Sequence, residues 1–341
     1  MSQNDYHLLQ TLTQQGFHPP QAWLGYARTH GIRPVPAKKL TQCPHCGSRH
    51  QHKIGQYVYF SHLVKLNQCG NCFLLYSDTR FPNEIIDQHF ELNYKDEAYF
   101  LHQRRQIFRQ IADLVSSAAP LKGRILDVGG AKGHLMAVVQ RQRPDLQITV
   151  NDLSNDACAS AAAHFGFETI CGGLSSLDDV VQTFDVVVMS DVIYYEADVQ
   201  ALWRLLPSLV APGGTLIIRI PNKLLPIKLW QRLSRRLAPH KIDTRDRIPL
   251  FNPEHLFIFP PHFLAQQLHL IGFQAIQRLP SRPLTKPGGK EVVQPLLHTA
   301  ARLVHSVSKG RLVISPSLLL IANRSQADDA AQTPHLKAAG A

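Results

Sequence analysis

Apolar positions change their period several times along the chain, and each change marks an element. Arg124–Val128 is a short, nearly continuous apolar run, the pattern of a buried strand. After a glycine-rich turn, His134–Gln140 carries apolar residues at helical spacing. The alternation repeats as a strand at Gln147–Val150, an alanine-rich helix at Ser154–His164, and strands at Phe167–Cys171 and Phe184–Met189. A helix over Ala197–Val210 and a strand over Thr215–Ile220 follow. Strands and helices in this order predict a doubly wound α/β sheet. Phe263–Leu270 adds a helix, and Phe273–Leu279 with Ser317–Ala322 predicts a final antiparallel hairpin. A helix over Val292–Val307 is expected between its two strands.

The flanks read differently. Residues 1–40 hold two short helical patterns, around Leu8, Leu9, Leu12 and around Trp23, Leu24, Tyr26, expected to pack as an extension. Residues 81–120 turn helical, with Tyr94, Tyr99 and Phe100 leading into Ile107, Phe108, Ile111 and Leu114. Residues 325–341 form an Ala- and Asp-rich tail expected to be disordered. With 341 residues there is room for one large domain and a small one, or for two medium domains. A hydrophobic fraction of 44% is ordinary for a globular protein. Neither an N-terminal apolar signal region nor a run of 18 apolar residues occurs, so a cytoplasmic protein is expected. The net charge of +11 permits an anionic partner: RNA, a phosphorylated intermediate or a membrane surface.

The six cysteines fall into two kinds. Cys43-Pro-His-Cys46-Gly and Cys69-Gly-Asn-Cys72 are separated by 22 residues that include the β-forming stretch Ile54–Val64. Two C-x-x-C pairs with adjoining glycines look like a zinc ribbon over residues 41–80, with four thiolates closing a tetrahedral structural site. Disulfides are disfavoured without a secretory signal. Cys158 and Cys171 stand alone in apolar elements and read as inert buried thiols.

The turn after the first strand of the large domain carries the chemistry: Asp127-Val-Gly129-Gly130-Ala-Lys-Gly133. Strand, tight glycine turn and helix let a ligand approach bare backbone at a helix N-terminus. A dinucleotide site favours G-x-G-x-x-G. Here an acid two residues before the first glycine would repel a pyrophosphate and suits a cationic ligand, which disfavours a dehydrogenase. The stretch resembles motif I of the class I S-adenosylmethionine-dependent methyltransferases, which packs against the methionine part of the cofactor. Val150-Asn-Asp-Leu-Ser154 places Asp152 25 residues after Asp127. An acid there can accept both ribose hydroxyls, or it can cap the next helix, a role Ser154 or Asn155 could also take. Phe184–Val192 resembles the fourth-strand motif of the same family, and Ala211-Pro-Gly-Gly214 its usual turn before the fifth strand.

The resemblance spans roughly residues 95 to 323. It implies a Rossmann-like, seven-stranded methyltransferase sheet over residues 121–324 and S-adenosyl-L-methionine as cofactor. Contacts are implied at Asp127, Gly129, Gly130, Gly133, Asp152, Leu153, Ser190 and Asp191. Departures matter too. Tyr194-Tyr195 stands where many relatives carry Glu-His, and Gly172–Leu177 lacks an acid for the adenine, leaving Ser175, Ser176 or backbone to substitute.

Glu254-His-Leu-Phe-Ile-Phe259, followed by Gly272-Phe273, resembles the ending of a subfamily with an H-L-x-x-F segment. Its members modify sugars, lipids, quinones and other secondary metabolites. Tyr194, Tyr195 and His255 are the candidate catalytic residues, with Asp191 as a further base on position. His255 reads equally as a core or capping residue. Within the insertion 221–261, residues 223–237 combine an apolar helical face with Lys223, Lys228, Arg232, Arg235 and Arg236. That pattern suits a lid or a peripheral membrane contact. The expected function is methyl transfer to a small-molecule, sugar or lipid-linked acceptor. The rivals are an RNA methyltransferase that grips phosphates with the ribbon and basic surface, and a non-catalytic scaffold.

Overall fold

The computed structural model describes residues 36–59, 62–82, 97–224, 254–282 and 293–326, with single positions 86, 227, 229, 232 and 284. The helical patterns expected before residue 36, Tyr94, most of the basic stretch 223–237 and the tail from 327 lie outside them, as do the side chains of Tyr99 and Phe100. The described residues form two units. One draws on 36–104, 194–199 and 222–260, the other on 105–193, 200–221 and 261–326.

The second unit is built on the apolar runs. Strands β6 (Arg124–Val128), β7 (Gln147–Asp152), β8 (Glu168–Cys171), β9 (Phe184–Ser190), β10 (Val210–Pro221), β12 (Phe273–Pro280) and β13 (Ser317–Arg324) make one sheet in the order β12-β13-β10-β9-β6-β7-β8. The five strands from β10 to β8 are parallel, and β13 runs antiparallel to both β10 and β12. Val186, Val187, Leu216, Ile218, Leu318 and Leu320 are fully buried, as central strands covered on both faces require. Helices α2 (His134–Gln142), α3 (Asn155–Phe165), α4 (Val199–Leu209), α5 (Pro261–Leu270) and α6 (Val293–Val307) connect the strands. They follow α1 (Glu97–Ala118), whose Ile107, Ile111, Ala112 and Val115 are buried on one face. Ala211-Pro-Gly-Gly214, expected as a turn, is instead taken into β10 through a register shift between Val210 and Thr215.

Strand order reverses between β6 and β9. The chain winds outward through β7 and β8, then returns to the other side of β6. Such a switch point leaves a crevice at the carboxyl ends of the two strands, where open α/β sheets bind ligands. The loops after β6 and β9 meet closely there: a Cβ added to Gly129 would lie 2.6 Å from a Val192 methyl.

The first unit holds an antiparallel sheet of β2 (Gln51–Tyr59), β3 (His62–Cys69), β4 (Leu75–Ser77) and β11 (Phe257–Ile258), in the order β11-β4-β3-β2. A short pair, β1 (Lys38–Lys39) and β5 (Thr79–Arg80), lies beside it in sequence. The H-L-x-x-F segment thus supplies a strand to the cysteine-bearing sheet, with Phe257 opposite Tyr76 and Ile258 opposite Leu75. The reason is burial. A module of some forty residues cannot enclose a core alone, and here Leu66 and Leu75 are closed over by Ile258 and Ile227, with Ile54 and Leu224 packed against them.

Candidate functional site

Bare backbone lines the turn after β6. Gly129 has φ +67°, and Gly130 lies where a Cβ would come within 2.7 Å of Asp127 Oδ2 and 2.8 Å of Val150. Gly133, at φ +78°, opens α2. The turn is tied to the neighbouring strand, because the Gly130 N–H donates to Asn151 O (2.9 Å).

Asp127 lies beneath this turn, fully buried, and its Oδ2 has no hydrogen-bond partner among the described residues. Burial, and then the charge of Asp152, raise its pKa from 3.8 to about 8. Asp152 is equally buried but well supplied. One carboxylate oxygen accepts the Ala131 N–H (2.8 Å), the other the Ser154 N–H (3.0 Å). The helix cap itself is Ser154, whose Oγ accepts from Ala157 N. Asp152 therefore braces the glycine turn against the loop after β7.

The next loop is organised by a residue the sequence reading passed over. Asn151 donates through Nδ2 to Ile170 O (2.9 Å) and Gly172 O (3.0 Å). Ser176 Oγ donates to Gly173 O (2.7 Å), whereas Ser175 is exposed. Leu153 is 43% exposed, with Gly173 beside it, an apolar surface at the sheet's carboxyl edge. Cys158 and Cys171 are not isolated: the Cys158 thiol donates to Asp152 O (3.4 Å), and Cys171 beside it is exposed. Burial, then the neighbouring Cys171 thiol, push the Cys158 thiol up to about 12.

At the end of β9, Ser190 Oγ is buried without a hydrogen-bond partner among the described residues. Asp191 sits at φ +62° and forms a buried ion pair with Arg219 of β10. The Arg219 Nε donates to Ser281 Oγ (2.8 Å), and the Asp191 N–H to Arg219 O (3.0 Å). Arginine within the apolar run Thr215–Ile220 was the available signal for this network. Leaving either charge buried alone would cost about 3–5 kcal/mol.

In the first unit, Tyr194, Tyr195 and His255, some sixty positions apart in sequence, form one aromatic cluster. The His255 ring lies 4.1 Å from Tyr194 and 5.4 Å from Tyr195, centroid to centroid. His255 and Tyr194 are buried, and the Leu256 N–H donates to Tyr194 O (2.9 Å).

Cys43, Cys46, Cys69 and Cys72 converge with all four sulfurs within 4.8 Å of one another. Cys43 and Cys72 are 3.7 Å apart, Cys46 and Cys69 3.5 Å. A tetrahedron with metal–sulfur bonds of about 2.3 Å has edges of ~3.8 Å, so the set fits a zinc ion. The two knuckles match each other: Gly47 N–H donates to Cys43 O and Phe73 N–H to Cys69 O, at φ +70° and +64°. Phe73, not Gly70, thus holds the left-handed position of the second knuckle. Gly70 serves another need, since a Cβ there would strike the His50 ring at 2.4 Å. Asn71 and Cys72 N–H groups donate to Cys69 Sγ at 3.4 and 3.5 Å. A hydrogen bond from Cys72 lowers Cys43 to about 5, and the same bond pushes Cys72 up.

Residues 100–278 match the methyltransferase-domain family, and the chain belongs to it. No curated protein matches the sequence significantly. Similar solved structures include a SAM dependent methyltransferase from Archaeoglobus fulgidus, 16% identical, covering 66% of this chain and 99% of that one at a TM-score of 0.41. The plantazolicin methyltransferase BpumL, in complex with a monoazolic desmethylPZN analog and SAH, is 14% identical, with 71% and 94% covered and a TM-score of 0.44. The [4+2]-cyclase SpnF is 19% identical, with 64% and 81% covered and a TM-score of 0.42.

Proposed function

We propose that the second unit binds S-adenosyl-L-methionine and that the protein transfers its methyl group to a small-molecule, sugar or lipid-linked acceptor. The observation that carries this reading is the cradle at the end of β6, where two glycines leave backbone bare above a buried carboxylate oxygen that lacks a donor. A cationic ligand answers both features. Gly129, Gly130 and Gly133 admit its methionine part, and Asp127 offers an acceptor to its ammonium. Asp152 is suited to the ribose hydroxyls and Leu153 to one face of the adenine. Ser190 and Asp191 stand at the end of the next parallel strand. When bound, the cofactor supplies an electrophilic methyl group on a sulfonium, so the protein's part is to align the acceptor and exclude water. For an acceptor that must lose a proton, we assign His255 as base, held in orientation by Tyr194 and Tyr195. The four cysteines hold a structural zinc, since four protein ligands leave no open position for a substrate.

Transfer of label from methyl-labelled cofactor tests the reading, with small-molecule, lipid-linked sugar and RNA fractions offered separately. Label is expected in a small-molecule or lipid-linked fraction. His255→Ala should lower the rate by about 100-fold while cofactor affinity holds. Label in RNA alone would overturn the acceptor class.

A further inference from the structure

Helix α6 leaves one apolar side exposed. Leu296, Ala300, Leu303 and Val307 fall within about 60° of one another around the helix, and all four are exposed, Leu303 at 65% and Val307 at 77%. The opposite side turns His298 and Ala301 inward, 5% and 2% exposed, with His305 half-buried beside them. Both histidines have a buried Nδ1 without a hydrogen-bond partner among the described residues. A surface helix ordinarily buries its apolar stripe; here Ala301 is buried and Val304 half-buried, while Leu296, Leu303 and Val307 stay outside. Past the helix, Leu312 at 56% and Ile314 at 44% are exposed as well. Contiguous exposure of this kind marks an interaction site.

The charges of this stretch of chain have one sign. Arg302, Lys309 and Arg311 are exposed, and the sequence has no acidic residue between Glu291 and Asp328. We infer that this face docks the protein onto an anionic lipid bilayer. Leu296, Leu303 and Val307 enter the boundary of the acyl region, while Arg302, Lys309 and Arg311 meet headgroup phosphates. Charge decides between a bilayer and a second copy of the chain. Symmetric pairing through this face would set those three cations against their equivalents, on chains of net charge +11. An anionic surface satisfies the stripe and its rim together. From Leu296 to Val307 the helix rises ~16 Å, too short to cross a bilayer of about 30 Å and suited to lying in its surface. No helix among the described residues is long and apolar enough to cross a membrane. The inference is independent of the cofactor reading and of the basic stretch 223–237.

Flotation of the full chain with vesicles tests it, comparing phosphatidylcholine alone with phosphatidylcholine containing phosphatidylglycerol. The protein should float with the anionic vesicles, less so at high salt. Leu303→Glu with Val307→Glu should reduce the bound fraction at least about tenfold, and Arg302→Glu with Arg311→Glu should abolish the preference for phosphatidylglycerol. S-adenosylhomocysteine affinity and the thermal midpoint should stay unchanged in both variants. Failure of folded protein to float, equal binding to both vesicle types, or flotation indifferent to Leu303→Glu with Val307→Glu would overturn the inference. A dimer in sedimentation velocity that this double variant dissociates would assign the face to a second copy instead.

Discussion

At Asp127, burial and the nearby Asp152 charge hold a carboxyl at a pKa of about 8 instead of 3.8. The unfolded chain releases this proton near pH 4, and the folded chain keeps it until about pH 8. The native state therefore binds more protons across that window, and stability falls as pH rises through it. Asp127→Asn removes the dependence. The variant should gain stability over the parent progressively from pH 4 to pH 8, on the order of 5 kcal/mol at the upper end. Thermal unfolding at a series of pH values checks this, and parallel slopes for the two proteins would contradict it. The same substitution should weaken cofactor binding, because a residue kept at a cost in stability is expected where a ligand compensates it. Phe73 shows a smaller cost, as a bulky residue in the left-handed region costs about 1–2 kcal/mol, sustained here by the second cysteine knuckle.

The cysteine-bearing sheet is assembled from two distant pieces of chain, residues 51–77 and the two-residue β11. If a structural zinc holds the knuckles, its removal should loosen both pieces together. Hydrogen exchange after chelation should speed at Phe257 and Ile258 along with β2, β3 and β4, while β6, β7 and β9 stay protected. Unchanged exchange at Phe257 and Ile258 would separate β11 from the metal. This joining of distant segments was not legible beforehand, because a two-residue strand carries no periodicity and Phe257–Phe259 reads equally well as core. The alternating elements from β6 to β13 were legible, since continuous apolar runs and amphipathic helices are local signals. So was the clustering of four cysteines at knuckle spacing. The hidden parts were contacts between loops: Asn151 holding the turn after β8, Arg219 paired with Asp191, and Cys158 meeting Cys171. Each depends on which strands become neighbours, which no single stretch of chain records. The outward-facing stripe of α6 was hidden for the same reason, since its pattern gives the helix but not which side is covered.

The large sheet sets the logic of the whole molecule. A switch in winding direction brings the ends of β6 and β9 together, glycines keep that place open, and acids at the ends of β6 and β7 can answer a cationic ligand, Asp127 by giving up the proton it otherwise keeps to about pH 8. The first unit adds a cysteine cluster and an aromatic–histidine group, built in part from segments that follow β9 and β10 in the chain. Calorimetric titration of S-adenosylhomocysteine into the zinc-loaded protein addresses the central claim directly, beside Asp127→Asn and Asp152→Asn variants of verified fold. The account predicts one site per chain, weakened at least tenfold, about 1.4 kcal/mol, by each substitution. Folded protein that takes up no ligand, or binding indifferent to both substitutions, would contradict it.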